Sequence, residues 1–244
     1  MSQGSPRVRR AVILAAGKSQ RLESLRLDTP KPLIKIAGQP LLGHHLDRCA
    51  AAGVEEVFIN LHHLPDRIRA FVGDGSRWKM KVTYHEEVEL AGTAGGVKNF
   101  ARHLQKEPFL VIYSDNYCTF SLQEIIEAHF RRSPVPDMSI VLFAKEDVSG
   151  SGVVICDNND RMESFIEKPA PGTTTSHWVN SGVYLMESHL LEAIPEGTSD
   201  FGREVIPSLL AAGKYILGVK TQGRVYAVDT PEQLERTAAI LAGN

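Results

Sequence analysis

The sequence predicts a doubly wound α/β fold, with a mixed, mainly parallel sheet flanked by helices. Uninterrupted apolar runs at 10–15 (RAVILA) and 109–113 (FLVIY) have the pattern of parallel strands buried on both faces. Strand and helix patterns alternate through the first half of the chain. From residue 139 onward strand patterns follow one another with few helices between, which adds a mixed or antiparallel extension.

Residues 1–9 are expected to form a disordered tail. The first strand, 10–15, runs into Gly17 and a polar loop over 17–31 that closes on Pro-Lys-Pro. Helical spacing covers 40–52 and stops at Gly53, a residue suited to the left-handed end of a helix. A second strand at 55–60 (EEVFIN) and a second helix at 65–72 follow. A short third strand is expected at 81–84, a helix at 93–104, the strand 109–113 and a helix at 121–131. The second half offers strands at 139–144, 153–156, 161–166 and 179–185, with a turn at Asn158-Asn159-Asp160. A helix near 202–211, strands near 215–219 and 225–228, and a closing helix from Pro231, capped by Thr230, complete the chain.

No Pro/Gly/Ser-rich linker divides the sequence, so one domain over 1–244 is expected, with halves at 10–135 and 136–244. Apolar residues at 43% and charged residues at 23% suit a globular enzyme with an ordinary core. A net charge of -2 excludes nucleic-acid binding by bulk positive charge. Cys49, Cys118 and Cys156 match no zinc spacing, and their odd number argues against a disulfide framework. No apolar run is long enough to span a membrane, and the N-terminus does not read as a signal peptide. A cytoplasmic location is expected. The pairs His44-His45 and His62-His63 suit neither helix nor strand as a joint metal site.

The loop after the first strand, Leu14-Ala15-Ala16-Gly17-Lys18-Ser19-Gln20-Arg21, leaves a buried strand through small residues and then presents cations. In open α/β sheets ligands bind outside the carboxyl ends of the strands. Backbone N–H groups and an arginine fork there suit phosphate. Gly17-Lys18-Ser19 is not a P-loop, because Val12 stands where that motif needs glycine. A single glycine also rules out the dinucleotide fingerprint. Taken alone, the loop reads equally well as an ordinary turn with solvated charges. Thr29-Pro30-Lys31-Pro32-Leu33 then holds a lysine between two prolines, on a stiffened backbone.

Together, Leu-Ala-Ala-Gly-x-x-x-Arg and Pro-Lys-Pro-Leu resemble the signature of the sugar-1-phosphate nucleotidylyltransferases. The resemblance implies a Rossmann-like fold of the nucleotide-diphospho-sugar transferase type. It implies that Leu14 to Gln20 wrap the triphosphate and that Arg21 and Lys31 neutralise phosphate charge. Ser19 and Gln20 depart from the family's usual glycine and Thr/Ser. Leu90-Ala91-Gly92-Thr93-Ala94-Gly95 resembles the segment beside the base and implies nucleotide contacts at Gly92 and Thr93. Glu86 and Glu87 lie just upstream, and we assign the base-side contact to Glu86. A glycine-rich turn capped by Thr93 is compatible with the same residues.

Further stations extend the resemblance over nearly the whole chain. The strand 109–113 runs into Ser114-Asp115-Asn116, similar to the family's Gly-Asp step. Asp115 is thereby implied to be catalytic and to hold Mg²⁺, and Asn116 to lie at the sugar phosphate. A carboxylate at a buried strand end is costly unless paired. Gly152, in Gly-Ser-Gly-Val-Val, implies sugar proximity, although Ser151 replaces the usual aromatic. Phe165-Ile166-Glu167-Lys168-Pro169 resembles the Glu-Lys-Pro motif, implying sugar contact by Glu167 and phosphate contact by Lys168. Asn180, in Asn-Ser-Gly-Val-Tyr, is likewise implied to reach the sugar. In Val225-Tyr-Ala227-Val-Asp229-Thr-Pro231 the family's usual second metal position is Ala227. Asp229 sits on the same face if the strand continues, and is expected to replace it.

The expected reaction joins a sugar 1-phosphate to a nucleoside triphosphate, with Mg²⁺, and releases pyrophosphate. The Gly-Thr-Ala-Gly segment and the stretch Asp200 to Arg203 most resemble mannose- or heptose-1-phosphate guanylyltransferases, so GTP is favoured. A uridylyl- or cytidylyltransferase and a non-catalytic nucleotide-sugar sensor are the alternatives. No nucleic-acid or membrane partner is expected, and the sequence is compatible with a homo-oligomer.

Overall fold

The computed structural model describes residues 6–17 and 29–242. In chain order the strands are β1 (Arg10–Leu14), β2 (Lys35–Ile36), β3 (Gln39–Pro40), β4 (Glu56–Leu61), β5 (Lys81–Glu86), β6 (Phe109–Tyr113), β7 (Asn116–Cys118), β8 (Met138–Ala144), β9 (Gly152–Cys156), β10 (Met162–Glu167), β11 (Trp178–Met186), β12 (Ile216–Lys220) and β13 (Val225–Ala227). The helices are α1 (Leu41–Ala51), α2 (Pro65–Val72), α3 (Gly92–Lys98), α4 (Ala101–Leu104), α5 (Leu122–Arg131), α6 (Ile206–Ala211) and α7 (Pro231–Ala242).

Nine strands of the described residues form the main sheet, in the order β10-β9-β11-β6-β1-β4-β5, with β8 beside β11 and β12 beside β8. Strands β6, β1, β4 and β5 are parallel. Direction reverses where β11 pairs antiparallel with β6. The doubly wound reading is visible residue by residue. Ala11, Ile13, Leu110 and Ile112 face one core with Leu42, Leu46 and Ile68, while Val12, Phe109 and Val111 face the other with Val97, Leu104 and Ile206. Apart from Ala11, each such fully buried side chain stabilises the fold by about 1.5–3 kcal/mol relative to exposure.

Several local expectations hold. Gly53 has φ +79 after α1, and Pro65 starts α2. Ser121 forms a capping box with Glu124 at the head of α5. The Gln233 N–H donates to Thr230 Oγ1 at 3.3 Å before α7.

Others are corrected. The helix expected over 93–104 breaks into α3 and α4, because Phe100 turns inward against Phe58, with ring centroids 5.4 Å apart. Gly95 and Gly96 also weaken a long helix there. The helix near 202–211 begins as a π-helical turn, Phe201–Val205, before α6. The widened turn fits Pro207, which brings no N–H and would crowd the preceding turn of a regular helix. The strand near 225–228 stops at Ala227, its last pair being Ala227 with Asn116 in β7. Residues 227 and 229 therefore share no strand face, and Asp229 lies on the approach to α7.

A small third core of Ile34, Ile36, Leu41 and Val228, with Leu234 and Leu241 packed against it, fastens α7 beside the β2–β3 hairpin. This brings the end of the described chain back to its beginning.

Candidate active site

The carboxyl ends of β1, β4 and β6 lie side by side, with Leu14 in register with both Asn60 and Tyr113. A chamber of about 780 Å³ opens above them. Leu14, Ala16, Gly17, Gly92 and Thr93 line it, together with Lys31, Asn60 and Glu87. A second chamber of about 1090 Å³ opens beyond the reversal at β6/β11, lined among others by Asn116, Gly152, Glu167, Lys168 and Asn180. Thr93, Tyr113, Asp115, Asp200 and Asp229 line both. Sequence order had kept these two groups of residues far apart; the fold joins them along one cleft. Lys18, Ser19, Gln20 and Arg21 lie outside the described residues.

Lys31 stands in a 3-10 turn, Lys31–Leu33, closed by the Leu33 N–H to the Pro30 carbonyl at 2.8 Å. The turn sinks Lys31 to 7% exposure and aims its ammonium between two carboxylates. Lys31 Nζ donates to Asp115 Oδ2 at 3.3 Å and to Asp229 Oδ1 at 2.5 Å. Asp115 Oδ1 is shut off from solvent and has no hydrogen-bond partner. Such an oxygen is costly unless a ligand or cation satisfies it. Just before Asp115, the Ser114 hydroxyl donates to the Leu14 carbonyl at 2.6 Å, so serine in the glycine's place ties β6 to β1.

The head of α3 has a different use from the one its sequence suggests. The Ala94 and Gly95 N–H groups donate to the Ser199 carbonyl at 2.9 and 3.2 Å, so those helix donors are already satisfied. A Cβ on Gly92 would collide with that carbonyl oxygen, which requires glycine there. Thr93 Oγ1 donates to Asp200 Oδ1 at 3.0 Å and accepts from the Phe201 N–H at 2.9 Å. Thr93 thus pins the late segment around residue 200 beside the first chamber.

In the second chamber Gly152 leaves room for Phe165, whose ring would lie 2.5 Å from an added Cβ. Lys168 adopts φ 49, a left-handed backbone that a lysine takes at a cost. Asn180 is partly committed: Oδ1 accepts from the Gly182 N–H at 2.9 Å and Nδ2 donates to Tyr184 Oη at 2.8 Å. Tyr184 in turn donates to Tyr113 at 3.2 Å. Burial pushes the Tyr184 hydroxyl up to about 12 and that of Tyr113 well above its ordinary range, so both act as neutral hydroxyls.

Two adjacent glutamates divide their roles against expectation. Glu86 pairs with Arg69 at 2.8 Å and is absent from both chamber linings. Glu87, 5% exposed, lines the first chamber instead. Side chains alternate across the end of β5, so one step decides which glutamate faces inward. Sequence reasoning also missed Asn60, although a polar residue ending the apolar run EEVFIN was a visible signal. Tyr113 and Asp200 were likewise missed as lining residues.

In each histidine pair at least one ring lies against a backbone carbonyl. His45 donates from Nε2 to the Asn116 carbonyl at 2.9 Å, and Arg48 Nη1 lies 3.3 Å from its Nδ1. Burial first, then Arg48, lowers the His45 pKa to about 3. His62 Nδ1 lies 2.8 Å from the Glu87 carbonyl. Among the described residues no three His, Cys, Asp or Glu side chains cluster as a metal site. None of the described helices is long and apolar enough to cross a membrane.

Mannose-1-phosphate guanylyltransferase of Mycobacterium tuberculosis is 35% identical to this chain over 233 residues, covering 95% of this chain and 64% of that one. UTP–glucose-1-phosphate uridylyltransferase of Synechocystis is 28% identical over 216 residues, covering 84% and 56%. The chain therefore spans less than two thirds of the length of either relative. Two crystal structures of HddC from Yersinia pseudotuberculosis, the second complexed with GMP-PN, superpose with TM-scores of 0.79 and 0.76 at 26% identity. Each alignment covers 96% of this chain and 99% of HddC. A family model described as nucleotidyl transferase matches residues 10–226, from the first strand of the sheet through most of β13, and the chain belongs to that family.

Proposed function

We propose that this chain transfers a nucleotidyl group from a nucleoside triphosphate, GTP by preference, to a sugar 1-phosphate, releasing pyrophosphate. The observation that carries the proposal is the meeting of Lys31, Asp115 and Asp229 where the two chambers join. The first chamber would take the nucleotide, against Leu14, Ala16, Gly17, Gly92 and Thr93. The second would take the sugar phosphate, against Asn116, Gly152, Glu167, Lys168 and Asn180. Preference for GTP rests on the guanylyltransferase relative and on the GMP-PN complex of HddC.

An oxygen of the sugar phosphate attacks the α-phosphorus. The bond from that phosphorus to the oxygen bridging the β-phosphate breaks, and pyrophosphate leaves with the electron pair. The nucleophile is already anionic, so no general base is required. Catalysis comes from positioning and from cancelling negative charge. Lys31, held in a nearly closed environment, places one positive charge at the junction. Lys168 would orient the sugar phosphate. Arg21 would act on the triphosphate, as its motif implies.

The carboxylates at the junction fit a divalent cation. Mg²⁺ takes oxygen ligands and needs only one or two carboxylates beside phosphate. Asp115, with its unsatisfied oxygen, and Asp229 would hold it. When bound it would neutralise charge across the phosphates.

The test is pyrophosphate release from GTP, UTP, CTP, dTTP and ATP, each with a panel of sugar 1-phosphates and Mg²⁺. Release with GTP and one sugar phosphate is expected. Release with UTP alone would favour the uridylyltransferase reading, which the Synechocystis relative supports. Nucleotide binding without release from any pair would favour a sensor and overturn the catalytic proposal.

A further inference from the structure

We infer that Asn60 and Glu87 form a polar relay that sets the span of the nucleotide chamber, acting as positioning residues; the inference rests on the nucleotidyl-transfer reading. The Ala15 N–H donates to Asn60 Oδ1 at 2.7 Å. A backbone N–H can only donate, so it fixes the amide's orientation and turns Nδ2 toward Glu87. Nδ2 donates to Glu87 Oε1 at 2.9 Å, and the Ala91 N–H donates to Glu87 Oε2 at 3.0 Å. One chain of hydrogen bonds thus runs from the loop leaving β1, across the end of β4, to the residue before α3. Its two ends are the opposite lips of the chamber, Ala16-Gly17 and Leu90-Gly92.

The relay is built as a unit. Asn60 and Glu87 are 3% and 5% exposed, so neither can exchange its partner for bulk water at no cost. The backbone on both sides of Glu87 is also held, by its N–H to the Leu61 carbonyl at 2.8 Å and by His62 at its own carbonyl. The bonds pass over the bare backbone of Gly96, where a Cβ would meet Asn60 Nδ2 at 2.7 Å and Glu87 Oε1 at 3.2 Å. Polarity runs one way only: an amide between a donor and a carboxylate, and a carboxylate between the Asn60 and Ala91 donors, with Asn99 Nδ2 as a longer third at 3.5 Å from Oε1. Asn60→Asp would set two carboxylates face to face. Glu87→Gln would supply one acceptor oxygen where the Asn60, Ala91 and Asn99 donors arrive. The double variant Asn60→Asp with Glu87→Gln restores the pattern. The carboxylate introduced on β4 would accept from the Ala15 N–H and from the new amide, whose oxygen would accept from the Ala91 N–H.

The experiment is calorimetric titration of wild type, both single variants and the double variant with the triphosphate that wild type binds tightest among GTP, UTP, CTP and dTTP. Thermal midpoints and, where turnover occurs, KM for each substrate are measured beside it. Each single variant is expected to weaken triphosphate binding about tenfold or more, and the double to return within about threefold of wild type. KM for the sugar phosphate should stay unchanged, which general loosening of the fold would not produce. Should Asn60→Asp fail to fold, Glu87→Gln and the double carry the test, because glutamine keeps the size of the side chain. Single variants that bind as wild type does, or a double that is weaker than either single, would overturn the relay. Restored binding in a protein that releases no pyrophosphate would keep the relay and discard the transfer reaction. Folded wild type that binds no triphosphate would discard both.

Discussion

The two chambers use their polar groups differently. Around the first chamber Asn60, Glu87 and Ser114 are buried and bonded to the chain itself, and the first donors of α3 are consumed by the Ser199 carbonyl. Around the second chamber Glu167, Lys168, Arg203, Arg224 and Arg236 line the cleft and are exposed. Parallel strand ends make a wall whose shape is settled before any ligand arrives. The second chamber presents charged side chains from several elements that a ligand can still recruit. Buried polar groups are costly to disturb because a stranded partner remains behind, whereas an exposed charge can be removed with little effect on the fold.

That contrast orders the expected effects. The largest lies where the chambers meet: Asp115→Ala should lower kcat by about 10²- to 10³-fold with the thermal midpoint nearly unchanged. Turnover near that of wild type, measured by pyrophosphate release, would remove Asp115 from the mechanism. Next is an acid effect at a buried group behind Asn116. His45, neutral and bonded to the carbonyl of Asn116, has its pKa lowered to about 3 from 6.5. Below 6.5 the unfolded chain takes up a proton that the folded chain refuses, so stability is lost progressively as pH falls toward 3. Urea midpoints against pH should fall over that window and fall less in His45→Gln; equal slopes would dismiss His45 as the cause. On the recruitable side, Lys168→Ala should raise KM for the sugar phosphate about tenfold while leaving triphosphate binding alone. A rise in both constants would blur the contrast between the walls. The smallest effect is remote from both: Ser121→Ala breaks the capping box of α5 and should cost about 1 kcal/mol of stability, read by denaturant unfolding, without moving either KM.

The sheet was legible because β1 and β6 are apolar at almost every position, a pattern that only burial on both faces demands. β7 and β13 were harder. Strands of three residues carry no usable period, and β7, which had no forecast, exists through its pairing with β13. Lys31, Asp115 and Asp229 stood in recognisable motifs, yet Asp229 reaches the junction from beyond the end of β13 and not from the strand face its spacing suggested. Glu87 was obscured by Glu86 for a register reason. Which of two neighbours faces the chamber depends on where β5 leaves the sheet, and that is set by the pairing of Leu61 with Glu86. Asn60 was in plain sight at the end of its strand, but its partners, Ala15 and Glu87, lie 45 and 27 residues away in sequence.

Those separations also set an order of assembly. The relay joins Asn60 to a residue 27 positions on, whereas Thr93 meets Asp200 across 107 positions and Lys31 meets Asp229 across 198. Chains fold as they leave the ribosome, and distant contacts wait for the residues that make them. Asn60 and Glu87 can therefore meet early, while Lys31 and Asp115 still lack Asp229. Only when Asp229 has emerged and α7 has packed beside the β2–β3 hairpin can the charged junction close. Closure of the junction between Lys31 and Asp229 waits on the longest of these three separations.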